Sequence, residues 1–450
     1  METKKILLCF VLFFCISSFA YSQWVLSGTV TMSGSYPSIS VANPNVIWIV
    51  GGANTPVIFK STNGGTNWVS VPVTGLPAKA LMCVWAIDDM TAFVGDGGDA
   101  PGQTGGDAAV SKTTNGGTTW TTIFNTGGSA GFFNGIVFSR SNPMIGIAES
   151  DPPAGTGQAY YLQKTTNGGV NWTLSNPPGV SGQASAQNSI VIIDNMFYGW
   201  GLNTTAGARL TSNGGTSWFT GTLGITGTFV AGMAFHDNKL FGVASTSNSF
   251  PNIARTTNGG TTWSPVNVGG TGTTTLSVLK WIDNSNTCYY NGSMSAGLAL
   301  RKSTNSGLNW TTMTAPTGAN FTHFDFVRVG TTVTGFAIAP TGMILKLTES
   351  VTLISTENSL IPSEYILKQN YPNPFNPSTT ISFSIPKTEF VTLKIYDAIG
   401  KEVRTIVNEK LEAGNYKHTF EKSSDMTSGI YFYKITAGNY TDTKKMILVK

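Results

Sequence analysis

The fold of this 450-residue chain is indicated most clearly by the stretch KTTNGGTTW, which runs from Lys112 to Trp120. Alone, it could be a glycine-rich loop that cradles a phosphate or a turn that holds a fold together. Five similar stretches decide between these readings: STNGGTNW, TTNGGVNW, TSNGGTSW, TTNGGTTW and STNSGLNW. The six copies end at tryptophans spaced 52, 52, 46, 45 and 47 residues apart. Such a period predicts the blades of a propeller or the coils of a solenoid.

Short alternating apolar runs before each copy predict strands, and so favour a propeller with the motif in the last hairpin of each blade. One such run is NVIWIVGG, Asn45–Gly52. The motif's Asn can bond the turn backbone, the Gly two residues later allows a positive φ, and the first hydroxyl can cap the turn. The Trp can bury its ring against the neighbouring blade. We therefore predict a structural role for Asn63, Gly65, Trp68, Asn115, Gly117, Trp120, Asn167, Gly169, Trp172, Asn213, Gly215, Trp218, Asn258, Gly260, Trp263, Asn305, Gly307 and Trp310.

The six copies resemble the Asp-box, or bacterial neuraminidase repeat, of sialidase-like and photosystem assembly-factor-like propellers. They differ from its commonest form in carrying Asn where Asp is usual. Because Asn can form the same turn without a carboxylate, we assign these residues no metal-binding or acid role.

Six motifs predict seven blades here. Phe321 to Leu347 reads as a further unit, but no Asn-x-Gly follows it. The missing strand can lie at the other end of the chain, because Trp24 precedes Trp68 by 44 residues and WVLSGTV is typical of the strand after a motif. We expect an all-β, seven-bladed propeller over residues 23–350, closed by the N-terminal strand, which removes the exposed sheet edges.

The first 22 residues have the features of a signal peptide. Lys4 and Lys5 supply positive charge, Ile6 to Phe14 form an apolar core, and Ala20-Tyr21-Ser22 suits cleavage before Gln23. A lipoprotein acylated at Cys15 is the alternative, but Phe14 is too bulky for a typical lipobox. No other segment is apolar for the roughly 18 residues that a transmembrane helix needs.

A second domain follows a linker at residues 351–365. Residues 366–450 show regular apolar alternation between Gly, Pro and Asn turns, which predicts an antiparallel sandwich of about seven strands. The segments NYPNPFNP and SGIYFYKITAG resemble the type A C-terminal sorting domain of type IX secretion. That resemblance implies contact with the secretion machinery and a secreted or outer-membrane surface location in a Gram-negative bacterium. The residues that carry it are Asn370, Pro372, Asn373, Pro374, Phe375, Gly429 and Tyr431.

Charge and titratable residues exclude several functions. Residues 24–350 hold 13 Lys and Arg against 12 Asp and Glu, a balance of +1, so they lack the basic stripe of a nucleic-acid partner. The chain has three His residues without the spacing of a zinc site or a catalytic triad. A sialidase-like site needs an arginine cluster, and only Arg140 and Arg328 stand apart from the motifs. A disulfide between Cys83 and Cys288 cannot be assumed.

Acidic loops in two successive repeats are the candidate functional site. They lie between the second and third strands of their blades, and so on the face opposite the motif turns. Three readings compete: solvated loop acids, a Ca²⁺ site at Asp96, Asp99 and Asp151, and a glycosidase carboxylate pair. Nearby aromatic residues, Phe132 and Tyr160 with their neighbours Phe133 and Tyr161, could stack on a glycan or simply cap a β core. The acids are Asp96, Asp99, Asp107, Glu149 and Asp151.

These observations favour an exported propeller that binds a glycan or a surface protein without catalysis and without a required cofactor. The alternative is a glycoside hydrolase, similar to xyloglucanases or sialidases, that acts on extracellular polysaccharide. Against it, Asp-box xyloglucanases build their cleft between two propellers, and this chain has one. An assembly factor for a membrane complex is a weaker alternative, because the sorting domain directs the chain elsewhere.

Overall fold

A computed structural model of the chain describes residues 24–33, 37–98, 106–128, 131–181, 185–186, 189–203, 206–225, 227, 229–237, 239–246, 248–249, 253–266, 268, 273–294, 297–314, 316, 321–353, 364–411, 414–423 and 426–449. For residues 248–249, 273–277, 292–294, 297–299 and 415 it describes the backbone alone. The predicted signal peptide at residues 1–22 and Asp99 lie outside the described residues. The chain divides into two compact units, Met1–Leu353 and Ile354–Lys450. None of the described residues forms a helix long and apolar enough to cross a membrane.

The described part of the first unit folds into seven small antiparallel sheets, the blades of a propeller. Strand β1 (Val25–Thr29) precedes blade 1, which contains β2 (Ser38–Val41), β3 (Ile47–Gly51), β4 (Val57–Ser61) and β5 (Val69–Ser70). Blades 2 and 3 contain β6 (Leu81–Ala86), β7 (Ala92–Asp96), β8 (Ala109–Thr113), β9 (Thr121–Asn125), β10 (Phe133–Phe138), β11 (Gly146–Ser150), β12 (Tyr161–Thr165) and β13 (Thr173–Ser175). Blade 4 contains β14 (Val191–Ile192), β15 (Tyr198–Gly201), β16 (Gly207–Thr211) and β17 (Phe219–Thr222).

The remaining blades follow the same plan. Blade 5 contains β18 (Val230–Phe235), β19 (Gly242–Thr246), β21 (Ile253–Thr256) and β22 (Ser264–Val266), while β20 (Asn248–Ser249) pairs with the first strand of blade 6. The other strands of blade 6 are β23 (Thr273–Trp281), β24 (Cys288–Met294), β25 (Gly297–Ser303) and β26 (Thr311–Thr312). Blade 7 contains β27 (His323–Val329), β28 (Thr332–Ile338) and β29 (Met343–Ser350). First strands of neighbouring blades contact one another along the ring.

The N-terminal strand completes blade 7. Strand β1 pairs antiparallel with β29, so that Val25 lies opposite Lys346 and Thr29 opposite Met343. Blade 7 therefore has the order β1, β29, β28, β27, with its outermost strand taken from the other end of the unit. The predicted seven-bladed propeller, closed by the N-terminal strand, is confirmed. The pairing covers an edge of β29 that would otherwise be open to another chain.

We call the six motif copies the repeat turns; each joins the third and fourth strands of its blade. In the first, Ser61 Oγ accepts from Gly65 N at 2.9 Å, and Asn63 Oδ1 accepts from Asn67 N at 2.9 Å. Gly64 and Gly65 have φ values of 69° and 83°, which glycine adopts without a Cβ clash. Equivalent hydroxyl bonds to a glycine N–H occur from Thr113, Thr165, Thr211, Thr256 and Ser303.

Each repeat turn packs closely against other residues of the propeller. At most junctions these residues belong to the preceding blade. A Cβ on Gly117 would lie 2.2 Å from Val71 Cγ1, and one on Gly169 would lie 2.4 Å from the Phe93 ring. The motif tryptophans add edge-on contacts across the same junctions: Trp120 meets Trp48 at 6.1 Å between ring centroids, and Trp172 meets Phe93 at 5.8 Å. The turns therefore pack the blades together, since such a contact combines area burial with favourable ring geometry.

In five blades, the residue immediately before the repeat turn is a cation that contacts the following blade. Lys346 has the same role in blade 7, which has no repeat turn. We call these residues the clamp cations: Lys60, Lys112, Lys164, Arg255, Lys302 and Lys346. Five of them donate to the carbonyl oxygen of a repeat turn in the following blade: Lys60 to Gly116 at 2.8 Å, Lys112 to Gly169 at 3.2 Å, Lys164 to Gly214 at 2.8 Å, Arg255 to Ser306 at 2.7 Å and Lys346 to Gly64 at 2.8 Å. The last of these bonds closes the ring from blade 7 to blade 1.

Two junctions depart from this rule in instructive ways. Blade 7 has no repeat turn, and there Lys302 lies 2.7 Å from the Glu349 carboxylate, which takes the place of the turn carbonyl. Blade 4 has Leu210 instead of a cation, and Leu210 packs where a Cβ on Gly260 would be, 2.3 Å away. Both junctions keep a contact at the same point of the ring.

The second unit is a two-sheet sandwich of seven strands. One sheet pairs β30 (Ile366–Leu367), β31 (Ser378–Ile385) and β34 (Gly414–Glu421), and the other pairs β32 (Glu389–Tyr396), β33 (Glu402–Leu411), β35 (Gly429–Ala437) and β36 (Tyr440–Leu448). Alternate residues of both sheets, such as Ile381, Leu393 and Tyr433, share one core. The predicted antiparallel sandwich of about seven strands is confirmed.

The proline-rich segment of this unit is attached to its core and its last strand. Asn370 is buried and donates its side-chain amide to Thr379 Oγ1 at 2.9 Å. Asn373 Oδ1 accepts from Ile447 N at 2.8 Å, and Phe375 packs into the core. Pro372 accepts bonds through its carbonyl, Gly429 begins β35 and Tyr431 donates to the Thr427 carbonyl at 2.9 Å. Six of the seven residues predicted for the sorting motif thus bond or pack within this unit or begin one of its strands, and Pro374 lies exposed on its surface.

The packing of the repeat turns makes a stability prediction. Gly117→Ala should lower the free energy of unfolding by about 1–3 kcal/mol more than Gly127→Ala. Both glycines have positive φ, at 88° and 64°, but only Gly117 is packed against another blade; no atom lies within 4 Å of a Cβ on Gly127. Chemical denaturation of both variants measures the difference. Equal losses would show that backbone strain, and not inter-blade packing, accounts for the glycine.

Candidate functional site

The propeller has two faces that differ in their loops. One carries the repeat turns together with the turns between first and second strands. The other carries the loops between second and third strands and the connections between blades, because consecutive strands run antiparallel. We call the second the loop face. Asp96, Glu149 and Asp151 all lie at the loop face, at or just beyond the ends of β7 and β11.

Four side chains from blades 3 and 4 form a hydrogen-bonded group at the loop face. This carboxyl cluster consists of Glu149 on β11, Asp151 after it, Asn134 on β10 and Ser185 in the connection to blade 4. Ser185 Oγ donates to Glu149 Oε1 at 2.6 Å and lies 2.8 Å from Asp151 Oδ1. Ser185 N and Asn134 Nδ2 also donate to Asp151 Oδ1, at 2.9 and 2.8 Å. One carboxylate oxygen of Asp151 therefore accepts two N–H donors, one from the connection to blade 4 and one from β10, and also lies beside the Ser185 hydroxyl.

Burial raises the pKa of both carboxyl groups of the cluster. Burial and the charge of Asp151 raise the pKa of Glu149 well above its usual value, and the Ser185 hydroxyl only partly offsets this. Burial also raises the pKa of Asp151 to about 6, against the opposing effect of its bonds from Ser185 and Asn134. Glu149 has no exposed surface, and its Oε2 has no partner among the described residues. Burial therefore favours the protonated form of Glu149 to a higher pH than for a solvated glutamate.

The other predicted acids are not part of this cluster. Asp96 is 2% exposed, and its Oδ1 accepts from Gly98 N and Ala109 N at 3.0 Å each, so it closes its own loop. Asp96 and Glu149 both influence the buried Cys83 thiol, whose pKa is raised by burial first and then by these charges. Asp107 is half-buried, and its Oδ1 accepts from Gly127 N at 2.8 Å. Asp99 lies outside the described residues.

Two of the four predicted aromatic residues belong to the core. Tyr160 has no exposed surface and meets Trp200 at 4.9 Å between ring centroids, so its ring cannot stack on a ligand. In this structure the Tyr160 ring therefore packs in the core against Trp200 on the second strand of blade 4, and does not line the surface. Phe133 is also fully buried. Phe132 and Tyr161 are each partly exposed and remain available at the loop face.

The described residues contain no cluster of side chains that could hold a calcium ion. Within them, no three His, Cys, Asp or Glu side chains converge as a metal site requires. Asp96 and Asp151 each direct an oxygen to backbone or side-chain donors, and the third predicted ligand, Asp99, is not described. Calcium at Asp96, Asp99 and Asp151 therefore stays a prediction.

Sequence reasoning missed the residues that organise the cluster. Asn134 and Ser185 are small polar residues without a motif around them, and only folding brings Ser185 to Glu149, 36 positions away. It also left Arg140 and Arg328 without partners. Arg140 forms an ion pair with Asp325 at 2.8 Å, and Arg328 with Asp283 at 3.1 Å. No sequence signal pairs Arg140 with a residue 185 positions away.

Comparison with known proteins identifies the C-terminal unit. Residues 369–450 match the family described as the secretion system C-terminal sorting domain. No curated protein matches the chain significantly. The matched segment indicates export by type IX secretion and implies contact with that machinery.

Solved structures similar to this chain are β-propellers. An ancestral GH74 enzyme is 14% identical with a TM-score of 0.52, covering 94% of this chain and 63% of its own length. The WD40 β-propeller domain of Doa1 is 11% identical with a TM-score of 0.50, covering 74% of this chain and 97% of its own. YCF48 from Cyanidioschyzon merolae is 16% identical with a TM-score of 0.49, covering 72% and 98%. At these identities the likeness to the GH74 enzyme and to the Doa1 domain shows the fold alone. The chain is thus a β-propeller followed by a unit that matches the secretion system C-terminal sorting domain.

The raised pKa of Asp151 makes stability depend on pH. Burial disfavours the ionised carboxylate of Asp151 in the folded state. The free energy of unfolding therefore falls as the pH rises from the ordinary pKa of 3.8 to about 6, and Asp151 lowers it no further above that pH. Asp151→Asn keeps an Oδ1 acceptor for the N–H groups of Ser185 and Asn134. It should therefore raise the free energy of unfolding by about 2 kcal/mol at pH 7.5 and change it little at pH 4.

The control for this substitution is Asp107→Asn, which also preserves an acceptor at the loop face. Denaturation of both variants and the parent at pH 4 and pH 7.5 measures the effect. An Asp151→Asn variant that is less stable than the parent at pH 7.5, or equally affected at both pH values, would contradict the assignment of a destabilising charge.

Proposed function

We propose that this chain is an exported, surface-associated propeller that binds a glycan or a protein through its loop face without catalysis. The observation that carries this is the carboxyl cluster. Its acids hold loops in place: Ser185 N and Asn134 Nδ2 donate to one oxygen of Asp151, and Ser185 Oγ donates to Glu149. Fixed loops favour binding, because less conformational entropy is lost when a ligand is captured.

The exposure of the acids supports binding over catalysis. Glycosidase carboxylates must face a sugar from two sides at roughly 5 to 9.5 Å. Glu149 and Asp96 are buried, at 0% and 2% exposure, so neither reaches a groove in this conformation. Phe132, partly exposed between the two acidic loops, is the aromatic surface that a glycan or an apolar side chain would meet.

A glycoside hydrolase is the second candidate, and one observation favours it. Burial raises the pKa of Asp151 to about 6 and also raises that of Glu149, as a general acid requires. In this alternative, Asp151 would donate a proton after loop opening exposes it.

We also propose that the repeat turns are Asp-boxes. Their hydroxyl and Asn hydrogen bonds stabilise the turn, so we assign them a structural role.

A binding assay with the mature chain, residues 23–450, separates these candidates. We expect saturable binding to members of a glycan panel and no release of reducing sugar. Phe132→Ala should weaken binding roughly three- to tenfold by removing an aromatic contact. Phe390→Ala, at an exposed position of the sandwich, is the matched control. Release of reducing sugar that Asp151→Asn abolishes would overturn the non-catalytic proposal.

Export and surface location are tested by deleting residues 366–450. The truncated chain should accumulate in the periplasm, because the sorting domain directs passage through the outer membrane. Protease accessibility on intact cells, with immunoblots of cell fractions and of the medium, measures the change against the full-length chain. Normal surface display or release of the truncated chain would contradict the sorting role.

A further inference from the structure

A group of charged residues crosses the central channel, away from the carboxyl cluster. We call it the channel cluster: Arg140 just after β10, Lys280 on β23, and His323 and Asp325 on β27. These strands are the first strands of blades 3, 6 and 7, which line the axis of the ring. Arg140 therefore reaches blade 7 across the channel and not through a neighbouring blade.

The carboxylate of Asp325 is already satisfied by two partners. Arg140 contacts both of its oxygens, at 2.8 and 2.9 Å, and Val41 N donates to Oδ2 at 2.9 Å. The side chain is only 4% exposed. The guanidinium and the carboxylate cancel in charge, so this pair needs no third partner.

Lys280 adds a second cation beside this neutral pair. Its Nζ lies 3.6 Å from Asp325 Oδ1, and its ammonium makes no shorter polar contact with any described residue. Burial lowers the pKa of Lys280, and the nearby Arg140 lowers it further, against the effect of Asp325. The channel cluster thus holds one positive charge in excess, on a side chain that is 28% exposed. A partly buried charge of this kind is stabilised when an opposite charge joins it.

His323 contributes a donor and no charge. Its Nδ1 accepts from Ile39 N at 3.0 Å, so the neutral ring carries its proton on Nε2. Burial and the charge of Lys280 lower the pKa of His323 to about 3, which keeps the ring neutral. The Nε2 proton has no acceptor among the described residues.

Two cavities adjoin Lys280. A cavity of about 110 Å³ extends toward the repeat-turn face, and its lining includes Trp85, Arg140, Lys280 and Phe326. A smaller one, of about 30 Å³, is lined by Lys280, His323 and Asp325 on the loop-face side. Lys280 therefore stands where both cavities meet, beside apolar and aromatic walls.

Three further charged residues, one cation and two acids, line the mouth of the larger cavity. Arg328 pairs with Asp283 at 3.1 Å, and Asp237 accepts from Asn284 N. Burial raises the pKa of Asp237. These acids oppose a multiply charged anion, whereas a single negative charge matches the excess at Lys280.

We propose that the channel binds a ligand through a single carboxylate group, with Lys280 as its counter-ion and the His323 Nε2–H as a further donor. The ligand enters from the repeat-turn face and places its body beside Trp85. This site is separate from the loop face, so it does not depend on the function proposed above. Its source is either a small free carboxylate or an acidic sugar.

Titration calorimetry of the mature chain in chloride-free buffer tests this, with acetate, galacturonate, galactose and inorganic phosphate as probes. We expect at least one carboxylate to bind and galactose not to bind. Binding of acetate alone identifies a small free carboxylate, and tighter binding of galacturonate identifies an acidic sugar. No binding of either, equal binding of galactose, or tighter binding of phosphate would overturn the proposal.

Substitutions connect the binding to Lys280. Lys280→Met should weaken carboxylate binding at least tenfold without lowering the melting temperature, because it removes an unmatched charge and leaves the Arg140–Asp325 pair intact. Lys280→Arg should retain binding, and Lys401→Met, at an exposed site of the sandwich, is the matched control. Unchanged affinity in a folded Lys280→Met variant would overturn the assignment.

The pH profile gives a second measure. Binding needs the protonated amine, so affinity should fall as pH rises through the pKa of Lys280, which lies below the ordinary value of 10.5. In Lys280→Arg the same range should be flat, because the guanidinium stays charged. A profile identical in both proteins would contradict a role for the amine.

Discussion

The propeller depends on the hydrogen bond from a cation of one blade to a turn carbonyl of the next. Five junctions use it directly, and the bond from Lys346 to Gly64 joins the two ends of the ring. Each such donor is charged, which makes its bond stronger than that between neutral groups. The repeat turn must present its carbonyl at a fixed place, and its glycines and internal hydroxyl bonds accomplish this. Closure by β1 adds a blade that the motif count alone would miss.

The junction at blade 7 shows what the interaction requires. The repeat turn is absent there, and a carboxylate, Glu349, receives Lys302 in its place. At blade 4 the cation itself is replaced by Leu210, which fills the space beside Gly260. The ring therefore tolerates changes of chemistry at a junction, provided that a contact remains between the blades. A rigid ring of this kind leaves the loops of the opposite face free to differ.

That division of roles places the two proposed sites. The carboxyl cluster lies where blades 3 and 4 meet, and there Ser185 contacts both Glu149 and Asp151. The sequence shows that these two acids are close in the chain, but not that they share a partner. The channel cluster sits on the first strands, where the curvature of the ring brings blades 3, 6 and 7 together. In both, a buried titratable group has a shifted pKa because burial removes water that would otherwise stabilise its charge. The carboxyl cluster uses its acids to hold loops in place, whereas the channel cluster has one more positive charge than negative charge.

The sequence by itself determined the all-β class, the seven blades, the closing strand and the sandwich, because each follows from local patterns: a repeated turn, alternating strands and a motif near the C-terminus. It also located the acidic loops on the face opposite the repeat turns. Only the tertiary structure decided which acids are buried, that Tyr160 belongs to the core, and that Ser185, Asn134 and Lys280 matter. Those contacts join residues far apart in the chain, and their geometry depends on how the blades pack, which no local pattern records.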